Sequence, residues 1–243
     1  MSDLMATAER HPGDDHTGAG SANALRAGVL GANDGLVSVL SLVMGVAGGG
    51  LATGDIFIAG IAGLLAGAGS MAMGEWISVQ SARELFELQL DEEREELRSQ
   101  PEFERQELID IFVERGIAVE IATSAAESVL ADPDKALETM AREELGFDPV
   151  EMGGSPFRAA GASFALFLVG ATPPVLPFAF LSRSPAIYMS IALSSIMLFA
   201  IGGATSRFTR RGPFFSGLRQ LVVGLAAAGV TFAIGSLLGT TVG

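Results

Sequence analysis

The sequence contains no cysteine, which excludes disulfide bonds and thiolate metal sites. Histidine is nearly absent, since only His11 and His16 occur and both lie in a polar N-terminal segment. We interpret these two as tail residues and not as metal ligands. No Glu-x-x-His motif of a di-iron helix bundle occurs. No glycine-rich phosphate loop occurs either, so the sequence gives no support for ATP-driven transport.

Basic residues are scarce, and the acidic excess is confined to one stretch. The chain has 15 lysines and arginines against 28 acidic residues, a formal charge of −13, which argues against nucleic-acid binding. Residues 83–151 hold 16 Glu and 5 Asp against 6 Arg and 1 Lys, a formal charge of −14. The remainder of the chain is therefore nearly neutral. A block this acidic is either a solvated surface or a cation-binding one.

Apolar residues make up 49% of the chain and form long runs. A membrane-spanning helix needs about 20 predominantly apolar residues. Five runs meet this requirement, at about residues 27–50, 56–80, 156–181, 187–206 and 218–240. The sequence therefore predicts an all-α integral membrane protein with five transmembrane helices and a cytosolic helical insert between spans two and three.

The apolar runs and the acidic stretch divide the chain into four parts. Residues 1–22 are polar and lack a signal-peptide pattern, so we expect a disordered cytosolic tail. Spans one and two occupy residues 23–82, the acidic insert 83–151, and spans three to five 152–243. We expect one uninterrupted helix from span two into the insert, because no Gly or Pro lies between Glu75 and Ser99. Later helix boundaries are predicted at Pro101, Gly116, Asp132-Pro133 and Gly146.

Proline and basic residues add two expectations. Pro173, Pro174 and Pro177 should break or kink the third span, because each removes a helix hydrogen bond. With five spans, 14 of the 15 basic residues fall on one side and only Arg183 falls on the other. The positive-inside rule then places the N-terminus and the insert in the cytosol, and the C-terminus outside or in a lumen.

Small residues recur at positions that allow close helix contacts. Gly60, Gly63 and Gly67 follow one another in span two, and Gly235 and Gly239 form a GxxxG motif in span five. Packing within one bundle and a seam between two copies are both compatible with this pattern.

Two carboxylates lie in or near the apolar spans. Asp34 stands about eight residues into span one. Placing an ionisable side chain there costs free energy, and such residues are typical of an ion or proton path. The alternative is that Asn33 or a backbone group satisfies Asp34. Glu75 lies nearer the end of span two, where exposure at the interface is the alternative. Met71 and Met73 flank it, and a thioether beside a carboxylate suits a transition metal, although packing is the commoner role.

Acidic pairs on single helix faces mark the insert. Glu93 and Glu96 are three residues apart, as are Glu104 and Glu107, while Met140 and Glu144 are four apart. Like charges at this spacing repel one another unless a cation neutralises them. The alternative is a solvated face screened by neighbouring arginines, which are Arg94, Arg98, Arg105 and Arg142.

Two long N-terminal motifs resemble the vacuolar iron transporter family. They are DGLVSVLSLVMGVAGG from Asp34 and AGLLAGAGSMAMGEWISVQSARELFE from Ala62. The shorter stretches VERGI at Val113 and MAREELG at Met140 match as well, and so does the layout of five spans. The resemblance covers residues 24–239.

This resemblance implies a homodimer that exports ferrous iron, and often manganese, from the cytosol in exchange for protons. By motif, the path-lining aspartate and methionine fall on Asp34 and Met71, and we add Glu75. Ala141 stands where some members have a second methionine, so we expect a weaker transition-metal preference. The metal ligands implied for the insert are Glu93, Glu96, Glu104, Glu107, Met140 and Glu144.

We therefore predict proton-coupled export of Fe²⁺ or Mn²⁺ by a protein that is not an enzyme and holds no permanent cofactor. Its partners would be divalent metal ions, protons, the lipid bilayer and a second copy of the chain. The membrane would be the plasma membrane in a prokaryote and a vacuole-type membrane in a eukaryote. Two alternatives stay open. One is a membrane-anchored iron-binding, sensing or storage protein without transport, and the other is a ferroxidase, which the lack of histidine disfavours.

Overall fold

Every secondary-structure element in residues 17–147, 154–209 and 211–242, the part of the chain that this computed structural model describes, is helical. A short 3-10 helix, Leu176–Ala179, lies between the sixth and seventh α-helices. The α-helices are α1 (Thr17–Gly48), α2 (Thr53–Ser99), α3 (Pro101–Glu114), α4 (Val119–Leu130), α5 (Pro133–Glu143), α6 (Pro156–Val175), α7 (Arg183–Thr209) and α8 (Pro213–Val242). The all-α prediction is confirmed for these residues.

Five of the helices, α1, α2, α6, α7 and α8, are long and apolar enough to cross a membrane. This agrees with the five apolar runs of the sequence. α1 begins at Thr17, however, inside the segment predicted to be a disordered tail. The reason is that residues 17–26 contain three alanines and no proline, so no proline ends the helix in this segment. Residues 1–16, with both histidines, lie outside the described residues.

Local signals set the helix ends in the acidic insert. α2 continues for 47 residues without interruption, as predicted, and Pro101 starts α3. The Asp132 side chain caps α5, because it accepts hydrogen bonds from the backbone N–H groups of Asp134 and Lys135. Gly116 and Gly146 follow α3 and α5 with φ of +89° and +74°, a conformation that favours glycine.

The prolines of the third span change its helix type. α6 accommodates Pro173 and Pro174, ends at Val175 and continues as the 3-10 helix that contains Pro177. The carbonyl of Pro174, near the end of the α-helical part, accepts a 2.7 Å hydrogen bond from the buried hydroxyl of Ser190 on α7. A side chain from a neighbouring helix thus satisfies a backbone group at the change of helix type.

The chain forms two compact units, which are described separately. The first comprises residues 1–72 and 161–243, and the second comprises residues 73–160, so the division falls within α2. The first unit has an apolar core that includes Leu36, Leu40, Met44, Phe167 and Leu198. The second has a smaller core of Leu108, Ile109, Ala122, Ala126 and Met140.

The small residues of spans two and five pack inside the first unit. A Cβ atom on Gly60 would lie 3.0 Å from the side chains of Val43 and Val175, and one on Gly67 would overlap the ring of Phe167. On α8, a Cβ on Gly235 would overlap the backbone carbonyl of Gly45 on α1. Contact within one bundle therefore accounts for the close approach of the helices at these glycines.

The α1–α8 contact yields a testable prediction. Gly235→Ala should destabilise the protein by about 1–3 kcal/mol, because the added methyl meets backbone that can move only if the helices separate. Gly229→Ala is the matched control on the same helix, since no atom lies within 4 Å of a Cβ there. We expect the first substitution alone to lower the temperature at which the detergent-solubilised protein loses monodispersity in size-exclusion chromatography. Equal losses in both variants would contradict the packing account.

Arg183, the exception to the basic-residue distribution, caps a helix. It is the first residue of α7, where a positive charge opposes the helix dipole. Its guanidinium Nη2 donates a 2.6 Å hydrogen bond to the carbonyl of Ala47, in the last turn of α1. A cation at a helix C-terminus is favourable, so this contact explains why an arginine stands apart from the other basic residues.

Candidate metal centre

Three carboxylates converge in the second unit. One oxygen each of Glu93 on α2, Glu104 on α3 and Glu144, which follows α5, all lie within 4.8 Å of one another. Glu93 and Glu104 are only 2% and 1% exposed, whereas Glu144 is open to solvent. We call these three residues the carboxylate cluster.

Helical periodicity explains why glutamates enter the interior of the unit. Each member of the carboxylate cluster stands four residues from a residue of the apolar core, on the same helix face. Glu93 precedes the partly buried Leu97, and Glu104 precedes the fully buried Leu108. Glu144 follows the fully buried Met140. The faces that hold α2, α3 and α5 together therefore also bring the three carboxylates to one place.

The electrostatics of the carboxylate cluster favour its protonated form. Burial, followed by repulsion from Glu144 and Glu104, raises the pKa of Glu93 to about 8. Burial and repulsion from Glu107 raise the pKa of Glu104 to about 7. Glu144 is exposed as a residue, but partial desolvation of its carboxylate, together with repulsion from Glu107 and Glu96, raises its pKa, and a hydrogen bond with Glu93 opposes that rise. At neutral pH the metal-free cluster therefore holds protons that ordinary glutamates would have released.

Two oxygens of the carboxylate cluster lack partners. Glu93 Oε1 and Glu104 Oε2 are buried and have no hydrogen-bond donor among the described residues. A buried polar atom without a partner is costly, and native structures contain few of them. A divalent cation bound by the three carboxylates would satisfy both oxygens and cancel the repulsion. Carboxylate oxygens suit Mn²⁺, and Fe²⁺ among the transition metals accepts them as well.

The interpretation of the acidic pairs as a solvated face is wrong for Glu93 and Glu104, because both are buried. Three of the neighbouring arginines form ion pairs with other acidic residues. Arg94 pairs with Asp91, Arg105 with Glu102 at 3.3 Å, and Arg142 with Glu138 at 2.8 Å.

Glu96, Glu107 and Met140, the other ligands predicted for the insert, are not among the three converging carboxylates. Glu96 is exposed and Glu107 is half-buried, and both act on the cluster through their charge. Met140 is fully buried in the apolar core of the unit. Glu75 belongs to the same unit, where it is half-buried. Met73 is 64% exposed.

In the first unit, Asp34 and Met71 occupy neighbouring positions. The exposed carboxylate of Asp34 accepts a 3.0 Å hydrogen bond from the hydroxyl of Ser38, one turn further along α1. A Cβ on Gly31, about one turn before Asp34, would lie 3.3 Å from the terminal methyl of Met71. The thioether of α2 therefore packs against α1 within about one helical turn of Asp34.

Asn33, the residue before Asp34, has a side-chain contact with α8, while the Asp34 carboxylate accepts its hydrogen bond from Ser38. The side-chain oxygen of Asn33 accepts a hydrogen bond from Gln220 Nε2 on α8. Sequence reasoning missed Gln220, although an amide at the start of a long apolar run was a visible signal. The amide pair joins α1 to α8 beside Asp34.

The raised pKa values predict how stability depends on pH. Between about pH 4.5 and pH 8 the folded protein retains protons on Glu93 and Glu104 that the unfolded chain releases. The free energy of unfolding of the metal-free protein should therefore fall as pH rises through this window and level off above it. We expect the midpoint of thermal unfolding at pH 5.5 to exceed that at pH 8.5 by about 5 °C. If the midpoint of thermal unfolding of chelator-treated protein rises with pH, the carboxylate cluster does not hold these protons.

The model of the VIT family matches residues 25–236. A protein named vacuolar iron transporter from Acanthamoeba castellanii is 35% identical over 244 residues, covering 100% of this chain and 86% of the relative. Vacuolar iron transporter 2 from Oryza sativa is 30% identical, covering 85% of this chain and 84% of the relative. Vacuolar iron transporter 1 from Arabidopsis thaliana is 27% identical, covering 85% and 82%.

These matches extend over spans and insert alike, so the resemblance seen in the N-terminal motifs holds for most of the chain. Together with the five apolar helices, they identify a multi-pass integral membrane protein. The chain belongs to the VIT family.

Proposed function

We propose that this protein exports a divalent transition metal from the cytosol across a membrane in exchange for protons. The main substrate would be Fe²⁺, and Mn²⁺ would be a second one. The observation that carries the proposal is the carboxylate cluster, with two buried oxygens that lack partners. The names of the relatives supply the metal, iron.

The first step is capture of the metal by the acidic insert. Residues 83–151 carry a formal charge of −14, which concentrates cations near the carboxylate cluster. A metal ion that binds Glu93 and Glu104 displaces the protons held there near neutral pH. Protons and metal therefore compete for the same oxygens. Glu96 and Glu107 add negative charge around the site, and Met140 is the softer donor proposed from the resemblance.

The second step is passage across the membrane along Asp34 and Met71. Asp34 is exposed on the surface of a membrane-spanning helix, a position that is costly against lipid. A groove of about 770 Å³ lies between α1 and α8, and Ser38 and Ser41 of α1 and Thr231 of α8 are among the residues that line it. Ser38 is one helical turn from Asp34. We propose that a second copy covers this face, so that the path lies at the axis of a homodimer. Glu75 would stand at the cytosolic entrance.

The orientation follows from the basic residues of the sequence. The insert and N-terminus would face the cytosol, and the C-terminus would face the outside or a lumen. Protons entering from that side would compete with the metal for the carboxylates of the path. The membrane would be the plasma membrane in a prokaryotic cell and a vacuole-type membrane in a eukaryotic cell.

A flux measurement on the purified protein tests this function. Reconstituted into liposomes under anaerobic conditions, the full chain should transport Fe²⁺ and Mn²⁺ into vesicles with an acidic interior, and parallel measurements with Ca²⁺ and Zn²⁺ give the metal selectivity. Collapse of the pH gradient should abolish accumulation. Binding without flux would favour the alternative, an iron-binding or storage protein, which the same carboxylate cluster supports. Oxidation of Fe²⁺ by the protein would instead indicate a ferroxidase.

A further inference from the structure

An ion pair joins the C-terminal ends of α3 and α5, and neither of its residues is among the proposed metal ligands. Arg115, the residue that caps the C-terminus of α3, contacts the Glu143 carboxylate through Nη1. Its Nη2 also donates a 3.4 Å hydrogen bond to the backbone carbonyl of Glu143. Glu143 is the last residue of α5 and directly precedes Glu144 of the carboxylate cluster. The pair spans 28 positions of the chain.

The last turn of α5 needs such support. α5 has only 11 residues, and helices shorter than about 12–15 residues are marginal on their own in water. Glu93 and Glu104 are buried, whereas Glu144 is exposed and stands at the end of its helix. Its position therefore depends on the order of the last turn of α5.

A second contact fixes the chain just beyond this turn. Gly146 adopts φ of +74°, and the N–H of Phe147 donates to the carbonyl of Ala141 at 3.1 Å. The ring of Phe147 packs against that of Phe86 on α2, with 4.6 Å between ring centroids. Arg115 thus holds one side of a turn whose other side is attached to α2.

The ion pair also removes a competing charge. Glu143 is partly buried, with 23% of its side chain exposed, and is adjacent to Glu144 in the chain. Without a partner, its carboxylate would be free to repel the carboxylate cluster or to bind metal in place of Glu144. Neutralisation by Arg115 keeps Glu143 out of the site.

We propose that Arg115 is a positioning residue for the metal site, acting through Glu143 to fix the backbone that carries Glu144. This inference rests on the proposed binding of metal by the carboxylate cluster. Partners that orient metal ligands from outside the first coordination sphere typically contribute about 10–100-fold in affinity.

Calorimetric titration of the full-length protein in detergent with Mn²⁺, which is stable in air, tests the inference. Arg115→Gln should weaken Mn²⁺ binding by about 10-fold, and Glu143→Gln should have a similar effect. Because both act through one contact, the double variant should be no weaker than either single one. Arg115→Lys, which keeps the charge, should recover most of the affinity. Arg98→Gln removes the same charge from an exposed position on α2 and should bind like the unsubstituted protein.

The outcomes separate this inference from the proposed function. If the unsubstituted protein fails to bind Mn²⁺, the metal site itself is refuted. If it binds and Arg115→Gln binds equally well, or if the effects of Arg115→Gln and Glu143→Gln add, the positioning role is wrong. Arg115→Lys shows whether an affinity loss reflects the lost pairing or a misfolded insert. A lysine variant that unfolds at the normal temperature but binds as weakly as the glutamine variant would overturn the inference.

Discussion

Glu93→Gln/Glu104→Gln should bind Mn²⁺ at least about 100-fold more weakly than the unsubstituted protein and yet unfold at a higher temperature when metal is absent. The affinity falls because two of three charged ligands become amides of nearly the same shape. The stability of the metal-free protein rises because burial and mutual repulsion penalise these carboxylates, and an amide carries no charge. The rise should be clear at pH 8.5 and small at pH 5.5, where the carboxyls are already protonated.

A lower Mn²⁺ affinity together with a higher unfolding temperature distinguishes a metal site from a group of carboxylates that only supports the fold. A substitution that merely damages the fold would lower affinity and unfolding temperature together. Glu95→Gln is the control, because Glu95 is an exposed residue on the helix of Glu93 and its substitution makes one of the same Glu-to-Gln changes. It should change neither quantity measurably. Calorimetry for affinity and a thermal melt monitored by circular dichroism provide both readings on one preparation.

Asp34→Asn should reduce the rate of Fe²⁺ accumulation in proteoliposomes by about 100-fold or more while Mn²⁺ binding by the insert stays within about 2-fold. The expected loss, about 2.7 kcal/mol at the barrier, is that of a charged group removed from an apolar ion path. The carboxylate cluster belongs to the other compact unit and keeps its ligands.

Asp55→Asn is the control for this substitution. Asp55 is an exposed carboxylate in the first turn of α2, at the start of a membrane-spanning helix, and has no place in the proposed path. Its replacement should leave flux within about 2-fold, because the favourable helix-dipole contact it makes is worth only about 0.3–1 kcal/mol. If Asp34→Asn transports Fe²⁺ with an unchanged dependence on the proton gradient, the proposed role of Asp34 in coupling is wrong.

The helices of this protein were largely predictable because their boundaries are set by local chemistry. Pro101, Gly116 and Gly146 stop or start helices through backbone geometry, and Asp132 caps α5 through its own side chain. None of these effects depends on the rest of the fold. The exception is the start of α1, where no sharp signal separates the predicted tail from the helix that begins at Thr17.

The membership of the carboxylate cluster was only partly predictable. Spacing placed Glu93 and Glu96 on one face of α2, but only Glu93 is buried, because the packing of α3 and α5 against α2 decides which glutamate is enclosed. The same packing encloses Met140 in the apolar core. The Arg115–Glu143 pair gave no signal, because the two residues are 28 positions apart and meet only in the folded unit.

The proposed metal site consists of Glu93, Glu104 and Glu144, which together bind one divalent ion. The most direct test is anomalous X-ray diffraction from crystals of the full-length protein grown with Mn²⁺ at pH 8, where the metal competes well with protons. We expect a strong anomalous peak in contact with carboxylate oxygens of all three residues, with Glu93 Oε1 and Glu104 Oε2 among the ligands. Peaks confined to exposed acidic residues, with none between these three side chains, would contradict this site.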